Sequence, residues 1–144
     1  MVGGIIGQAS CSSHCEFSNL VNYSDISSGS NYIGGIFGSM VARTTVKINK
    51  VVNLGKLSAT NNIGGIIGKN AGKGIEVYDA ANFGTIQGIA GDKEYGVGGI
   101  AGASEDAITI YKSVNHGNIT INRNAKYYGC LLYTSDAADD SLRV

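Results

Sequence analysis

The sequence predicts an all-β chain wound as a β-solenoid, a parallel β-helix-like stack of about four coils of ~30 residues each. Three observations carry that prediction. Two short motifs recur four times in a locked register, apolar and polar residues alternate between them, and no stretch before residue 130 sustains a helical period.

The first motif is Val2-Gly3-Gly4-Ile5-Ile6-Gly7, which returns beginning at Ile33, Ile63 and Val97. The second begins Val21-Asn22-Tyr23 and returns as Val52-Asn53-Leu54-Gly55, Ala81-Asn82-Phe83-Gly84 and Val114-Asn115-His116-Gly117. From the first Gly of each pair to its Asn the offsets are 19, 19, 18 and 17; from Asn to the next pair they are 12, 11 and 16. Length therefore varies mainly in the second connection, and the units start near residues 2, 33, 63 and 97.

Alignment on Asn exposes a period of two ahead of it. Seven residues before Asn stand Cys15, Val46, Ile75 and Ile108, and five before it Phe17, Ile48, Val77 and Ile110. One before it stand Val21, Val52, Ala81 and Val114. Such alternation marks a half-buried strand with these columns facing inward. Four residues after Asn, Ile26, Leu57, Ile86 and Ile119 open a second short strand, and the Gly-Gly-Ile segment supplies a third. Gly55, Gly84 and Gly117, two residues after Asn, are expected where the chain turns through positive φ. The Asn column itself, Asn22, Asn53, Asn82 and Asn115, reads as a structural turn ladder of side-chain amides rather than a ligand contact.

Composition excludes several classes. The 144 residues include 22 Gly, no Pro and no Trp, and carry a formal net charge of zero, so nothing points to a nucleic-acid partner. No apolar run approaches the roughly 18 residues of a membrane helix. No signal-peptide pattern is visible, which for a piece of a longer chain decides nothing.

The Gly-Gly-Ile-x-Gly segments followed by Asn-x-Gly-x-Ile resemble GLUG repeats, short motifs found in arrays in large adhesin-like proteins of bacterial surfaces. The resemblance covers residues 2–129. It departs from the family where Ile replaces Leu in every copy and where Tyr23-Ser24-Asp25 stands for x-Gly-x. It implies a non-enzymatic structural or adhesive module, a stalk or interaction surface of a secreted or surface-anchored bacterial protein. The partners it implies are a host or matrix protein or glycan, together with further repeats of the same chain, and the location extracellular or at the cell surface. The alternative is a carbohydrate-binding or polysaccharide-processing solenoid.

Residues 130–144 break the pattern. A Gly pair is due between residues 126 and 131; Tyr128-Gly129 arrives on time, and Cys130 then stands where the second Gly belongs. The stretch "CLLYTSDAADDSLRV" resembles the conceptual translation of a transposase-type sequencing adapter, which reads Cys-Leu-Leu-Tyr-Thr-Ser-Asp-Ala-Ala-Asp in one frame. On that reading 1–129 is the native repeat region, a slice of a longer array without end caps, and 130–144 a non-native tail. Uncapped ends with open strand edges are expected to self-associate.

Candidate sites are few. Cys11, His14 and Cys15 lack the fourth ligand and second cluster that a zinc site needs, so no metal is expected. Cys15 reads as a small buried hydrophobe and Cys11 as a loop residue, both as unpaired thiols, with a Cys11–Cys15 disulfide as the lesser alternative. Gly96-Val97-Gly98-Gly99-Ile100-Ala101 matches a dinucleotide pattern but is followed by a strand where that site requires a helix, so no cofactor is expected. Neither a zinc-protease motif nor a nucleophile elbow occurs, and no catalytic residue is assigned. Asp79 beside Lys50 and Lys112, three before Asn, reads as a cross-coil charge ladder. Tyr23, Leu54, Phe83 and His116, one after Asn, form either an exposed stripe suited to sugar faces or a protein partner, or corner packing, the plainer reading. Candidate ligand contacts are thus Tyr23, Phe83 and His116, joined by Tyr95 in the longest connection, residues 88–96.

Overall fold

A computed structural model describes residues 1–29, 31–89, 96–121 and 127–129. Those residues contain strands and turns and no helix. The first coil comprises β1 (Val2–Gly3), β2 (Ile6–Cys11), β3 (Cys15–Asn22) and β4 (Ile26–Ser28). The second comprises β5 (Tyr32–Gly34), β6 (Phe37–Ala42), β7 (Val46–Asn53) and β8 (Leu57–Ala59). In the third, β9 (Asn62–Gly64) and β10 (Ile67–Asn70) precede β11 (Ile75–Tyr78), β12 (Ala81–Asn82) and β13 (Ile86–Gly88). The fourth repeats that order as β14 (Gly96–Gly98), β15 (Ala101–Ser104), β16 (Ile108–Tyr111), β17 (Val114–Asn115) and β18 (Ile119–Ile121). Finally β19 (Tyr127–Gly129) opens a fifth turn.

Every strand pairs in parallel with its counterpart one coil away, which builds four sheets and makes the chain a β-solenoid. Val2 pairs with Ile33, Ile33 with Ile63 and Ile63 with Val97. Gly129 pairs with Gly98, in the column of the first Gly of each pair. The coil thus has four sides where the sequence motifs suggested three strands. The Gly-Gly-Ile segment is not one strand: the chain bends at the second Gly and continues as a separate strand, β2, β6, β10 or β15.

The interior is divided. One core lies between the sheets of β6 and β7 and holds Ile36, Phe37, Met40, Val46, Ile48, Val51 and their counterparts. A smaller one lies between the sheets of β5 and β8 and holds Ile33, Leu57, Ala59, Ile63, Ile86 and Val97. Phe17 meets Phe37 edge-to-face across the larger core, ring centroids 5.1 Å apart. The Gly-Gly bend and the Asn column face each other between the two cores.

One backbone feature corrects the inward columns. Asn19, Lys50, Asp79 and Lys112 all take positive φ, between 47° and 58°. A left-handed residue inside a strand adds a kink and shifts the parity of everything after it. The columns seven and five before Asn face inward, as alternation predicts, but beyond the kink the inward column is two before Asn. Val51 and Ala80 are buried there, whereas Val21 is exposed and Val52, Ala81 and Val114 are half-exposed. The kink also turns the charged column outward, with Lys50, Asp79 and Lys112 all exposed. No ion pair joins Asp79 to either lysine among the described residues, so this column is a conformational one and not a charge ladder.

Lysine gains nothing from the left-handed region, where a side chain costs roughly 1–2 kcal/mol. Lys50→Gly is expected to stabilise the fold by about 0.5–1 kcal/mol after glycine's extra unfolded-state entropy is subtracted. Lys50→Val, with its branched Cβ, is expected to destabilise it by about 1–2 kcal/mol. Urea unfolding midpoints of the two variants check both signs.

Candidate functional site

The Asn corner is built by hydrogen bonds that repeat from coil to coil. Asn22 Nδ2 donates to Asn53 Oδ1 at 2.8 Å, Asn53 Nδ2 to Asn82 Oδ1 at 2.8 Å, and Asn82 Nδ2 to Asn115 Oδ1 at 2.7 Å. The second proton of each amide goes to the carbonyl two residues on, at Ser24, Gly55, Gly84 and Gly117, over 2.8–2.9 Å. Asn53 and Asn82 are wholly buried, so the ladder supplies partners that solvent cannot reach. Opposite the ladder stands the second Gly of each pair. A Cβ on Gly4, Gly35 or Gly65 would collide with Asn22, Asn53 or Asn82 respectively, and with the next coil's backbone as well. The two sequence motifs recur together because they touch.

Glycine two residues after Asn has a different reason from the one expected. None of Gly55, Gly84 and Gly117 takes positive φ; among the described glycines only Gly74 does. What excludes a side chain at these three positions is the carbonyl of the preceding coil.

The outer face of the corner carries the aromatic column, and it does not fold inward. Tyr23 is 75% exposed, Phe83 50% and Leu54 44%, and His116 is exposed too, which corrects the corner-packing expectation. The inward turn is taken by Asn itself, so its successor must point to solvent. Phe83 and His116 stack at 5.2 Å with planes 11° apart. Beside them, on the same side of the strands, lie Val21, Val52, Ala81 and Val114. Alternation read without the kink places this second column inside, and so the width of the apolar face was missed. Four before Asn, Tyr78 and Tyr111 form a second stacked pair, centroids 4.8 Å apart, with the Tyr78 hydroxyl donating to Glu76 Oε2 at 3.0 Å. That pair carried a legible signal, two Tyr in one column.

Other candidates fall elsewhere. Tyr95 and residues 130–144 lie outside the described residues. Cys11 is the buried last residue of β2, in register with Ala42, and forms a disulfide with Cys15, Cα atoms 6.2 Å apart. The unpaired-thiol expectation is therefore corrected: a four-residue step around the corner from β2 to β3 brings two inward-facing sulfurs together. His14, between them, is exposed. Among the described residues no group of three or more His, Cys, Asp or Glu side chains is placed to hold a metal ion. Away from the corner, Lys69 pairs with Glu105 at 2.5 Å and lies 4.8 Å from the Tyr32 ring centroid. The Glu105 hydrogen bond holds the Lys69 pKa above the ordinary lysine value. Asn70, wholly buried, bonds Ser104 Oγ at 2.9 Å and accepts from the Gly72 amide, closing another corner that sequence spacing did not reveal.

No helix among the described residues is long and apolar enough to cross a membrane. Comparison with protein-family models, with characterised proteins and with solved structures gives no match, so the resemblance to GLUG repeats stands on the residues that carry it.

Asn53→Leu would leave an Asn22 donor, the Asn82 acceptor and the Gly55 carbonyl buried without a partner. At ~1–3 kcal/mol for each such group, a loss of about 3 kcal/mol or more is expected in denaturant unfolding. The disulfide spans few residues, so reduction, or Cys11→Ala with Cys15→Ala, is expected to cost only ~2 kcal/mol. The same unfolding curves with and without reductant check it.

Proposed function

We propose that this chain is a non-enzymatic structural and adhesive repeat module: the stalk or interaction surface of a larger secreted or surface-anchored bacterial protein. The observation that carries the reading is the exposed apolar stripe at the Asn corner. Tyr23, Leu54 and Phe83 stand outward one coil apart while the buried ladder beneath them fixes their spacing. Isolated exposed apolar residues are ordinary, but a contiguous run flanked by a second half-exposed column is the kind of surface a partner covers. The motif resemblance to GLUG repeats points to the same use, with a host or matrix protein or glycan as partner and further repeats of the chain extending the stack.

The polysaccharide-processing alternative has weaker support. Such chemistry needs a pair of carboxylates held about 5–9.5 Å apart across the scissile bond. On this face Glu16 and Glu76 share a column with Lys47, and Asp79 shares one with Lys50 and Lys112, the mixture of a solvated surface. Sugar platforms offer ring faces, whereas Phe83 and His116 each turn one face to the other.

The test is retention of the chain on immobilised matrix glycoproteins and on a glycan array. The triple variant Tyr23→Ser, Leu54→Ser, Phe83→Ser is expected to lose retention by about tenfold or more while its melting temperature stays within a few degrees, because all three side chains point to solvent. Retention unchanged in the variant, or wild-type chain that binds neither surface, would sink the adhesive reading.

A further inference from the structure

The charges on the outer face of β3, β7, β11 and β16 alternate from coil to coil. Six residues before Asn the column reads Glu16, Lys47, Glu76, Thr109. Three before Asn it reads Asn19, Lys50, Asp79, Lys112. In both columns the second coil is cationic and the third anionic. Lys47, Lys50 and Asp79 are exposed, and Glu76, half-buried, accepts the Tyr78 hydroxyl at 3.0 Å. None of these four charges has an ion-pair partner in its own chain among the described residues. Beside them on the same face run the half-exposed Val52 and Ala81 and the exposed Leu54 and Phe83.

A face with this order is complementary to itself. When a second copy is laid against it about a twofold axis parallel to the strands, midway between the second and third coils, every column lies opposite itself and coil two meets coil three. Lys47 then faces Glu76 and Lys50 faces Asp79, each pair formed twice because the contact is isologous. Leu54 meets Phe83 and Val52 meets Ala81, apolar on apolar. The large Tyr78 and Tyr111 come over the short Asn49 and Ser18. The outer coils bring Glu16 to Thr109 and Asn19 to Lys112, so no like charges meet.

Other placements fail on the same residues. Moving the axis by half a coil sets Lys47 on Lys47 or Glu76 on Glu76, which repel. An axis along the stack keeps coil on coil but reverses the columns, so that Lys47 falls on Leu54 and Glu76 on Phe83, charges against apolar surface. We propose that this face is covered by a second copy of the chain in the one arrangement left, a closed dimer of two stacks lying side by side in opposite directions. The inference rests on the reading of this face as a recognition surface and names its partner. Its size fits a weak dimer. The 8 residues of β7 extend about 26 Å at ~3.3 Å each, and four coils stack to roughly 19 Å. Two such faces bury about 1,000 Å², the lower bound of a specific interface.

Sedimentation equilibrium of the full chain across a concentration series tests this, together with two charge-swapped variants built from residue types already present in these columns. One carries Lys47→Glu and Lys50→Asp, the other Glu76→Lys and Asp79→Lys. The wild type is expected to rise from one copy to two and to stop there. Each variant alone sets like charges at all four contacts and is expected to dimerise about tenfold or more weakly. An equimolar mixture of the two restores four opposite pairs and is expected to dimerise within about threefold of the wild type. Melting temperatures within a few degrees of the wild type show that the swaps leave the fold intact, as exposed charges should. A wild type that keeps one mass throughout, a mass that climbs beyond two copies, variants that dimerise like the wild type, or a mixture no better than either variant alone would each overturn the proposal. A wild type that stays single yet is retained on matrix glycoproteins overturns the pairing alone and leaves the adhesive reading in place.

Discussion

The close approach between the second glycine of each pair and the Asn of the facing corner is the constraint on which the rest of the structure depends. It pinches the coil so that two separate apolar cores form on either side. It leaves an amide side chain in a place no water reaches, and an amide there is tolerable only if all its hydrogen-bonding groups are met. Stacking meets them: each coil hands one proton to the next and one to its own turn. A single coil could not satisfy its own Asn, so the repeat is stable only as an array, the general property of solenoids expressed here in one side chain.

The polarity of that ladder has a consequence for the ends. Protons run from the first coil toward the last, each Asn amide donating to the Oδ1 of the coil that follows. Glycine two residues after Asn follows the same direction, because the obstructing carbonyl always belongs to the coil before. The two ends of the stack are therefore chemically different, and a substitution harmless on one face is prohibited one coil further on. Ser24 is such a substitution.

The coil period, the strand ahead of Asn and the columns five and seven before it were all legible, because spacing and period-two alternation are linear properties of a sequence. The parity change was not. Of the four left-handed residues, Asn19 and Asp79 are types that tolerate the conformation, but Lys50 and Lys112 carry no such mark. A column of mixed charge looks like a surface ladder whichever way the backbone turns. The same blindness hid the second exposed apolar column, since Val21 and Val52 have the composition of core residues and are placed outside only by the kink. Gly55 and its counterparts were recognised as necessary for the wrong reason: a glycine forced by a neighbouring backbone and one forced by φ are identical in sequence. The cysteine pair was misread for a related cause, for a four-residue spacing says nothing about a corner that folds two inward columns together.

What remains free to vary is then a matter of geometry. Columns that face inward are held by packing, and the Gly and Asn columns by contact with each other, so differences between coils collect on the outer face. There the repeat changes character from end to end: Ser18 and Asn49 give way to the stacked Tyr78 and Tyr111, and Tyr23 and Leu54 to the stacked Phe83 and His116. In-register stacking multiplies any such change, because a side chain chosen in one coil meets its counterpart about 4.8 Å away in the next. Two like rings in adjacent coils become a stack without any further design, and two apolar residues become a stripe. The surface that can recognise something is thus written by the least constrained columns and organised by the most constrained one.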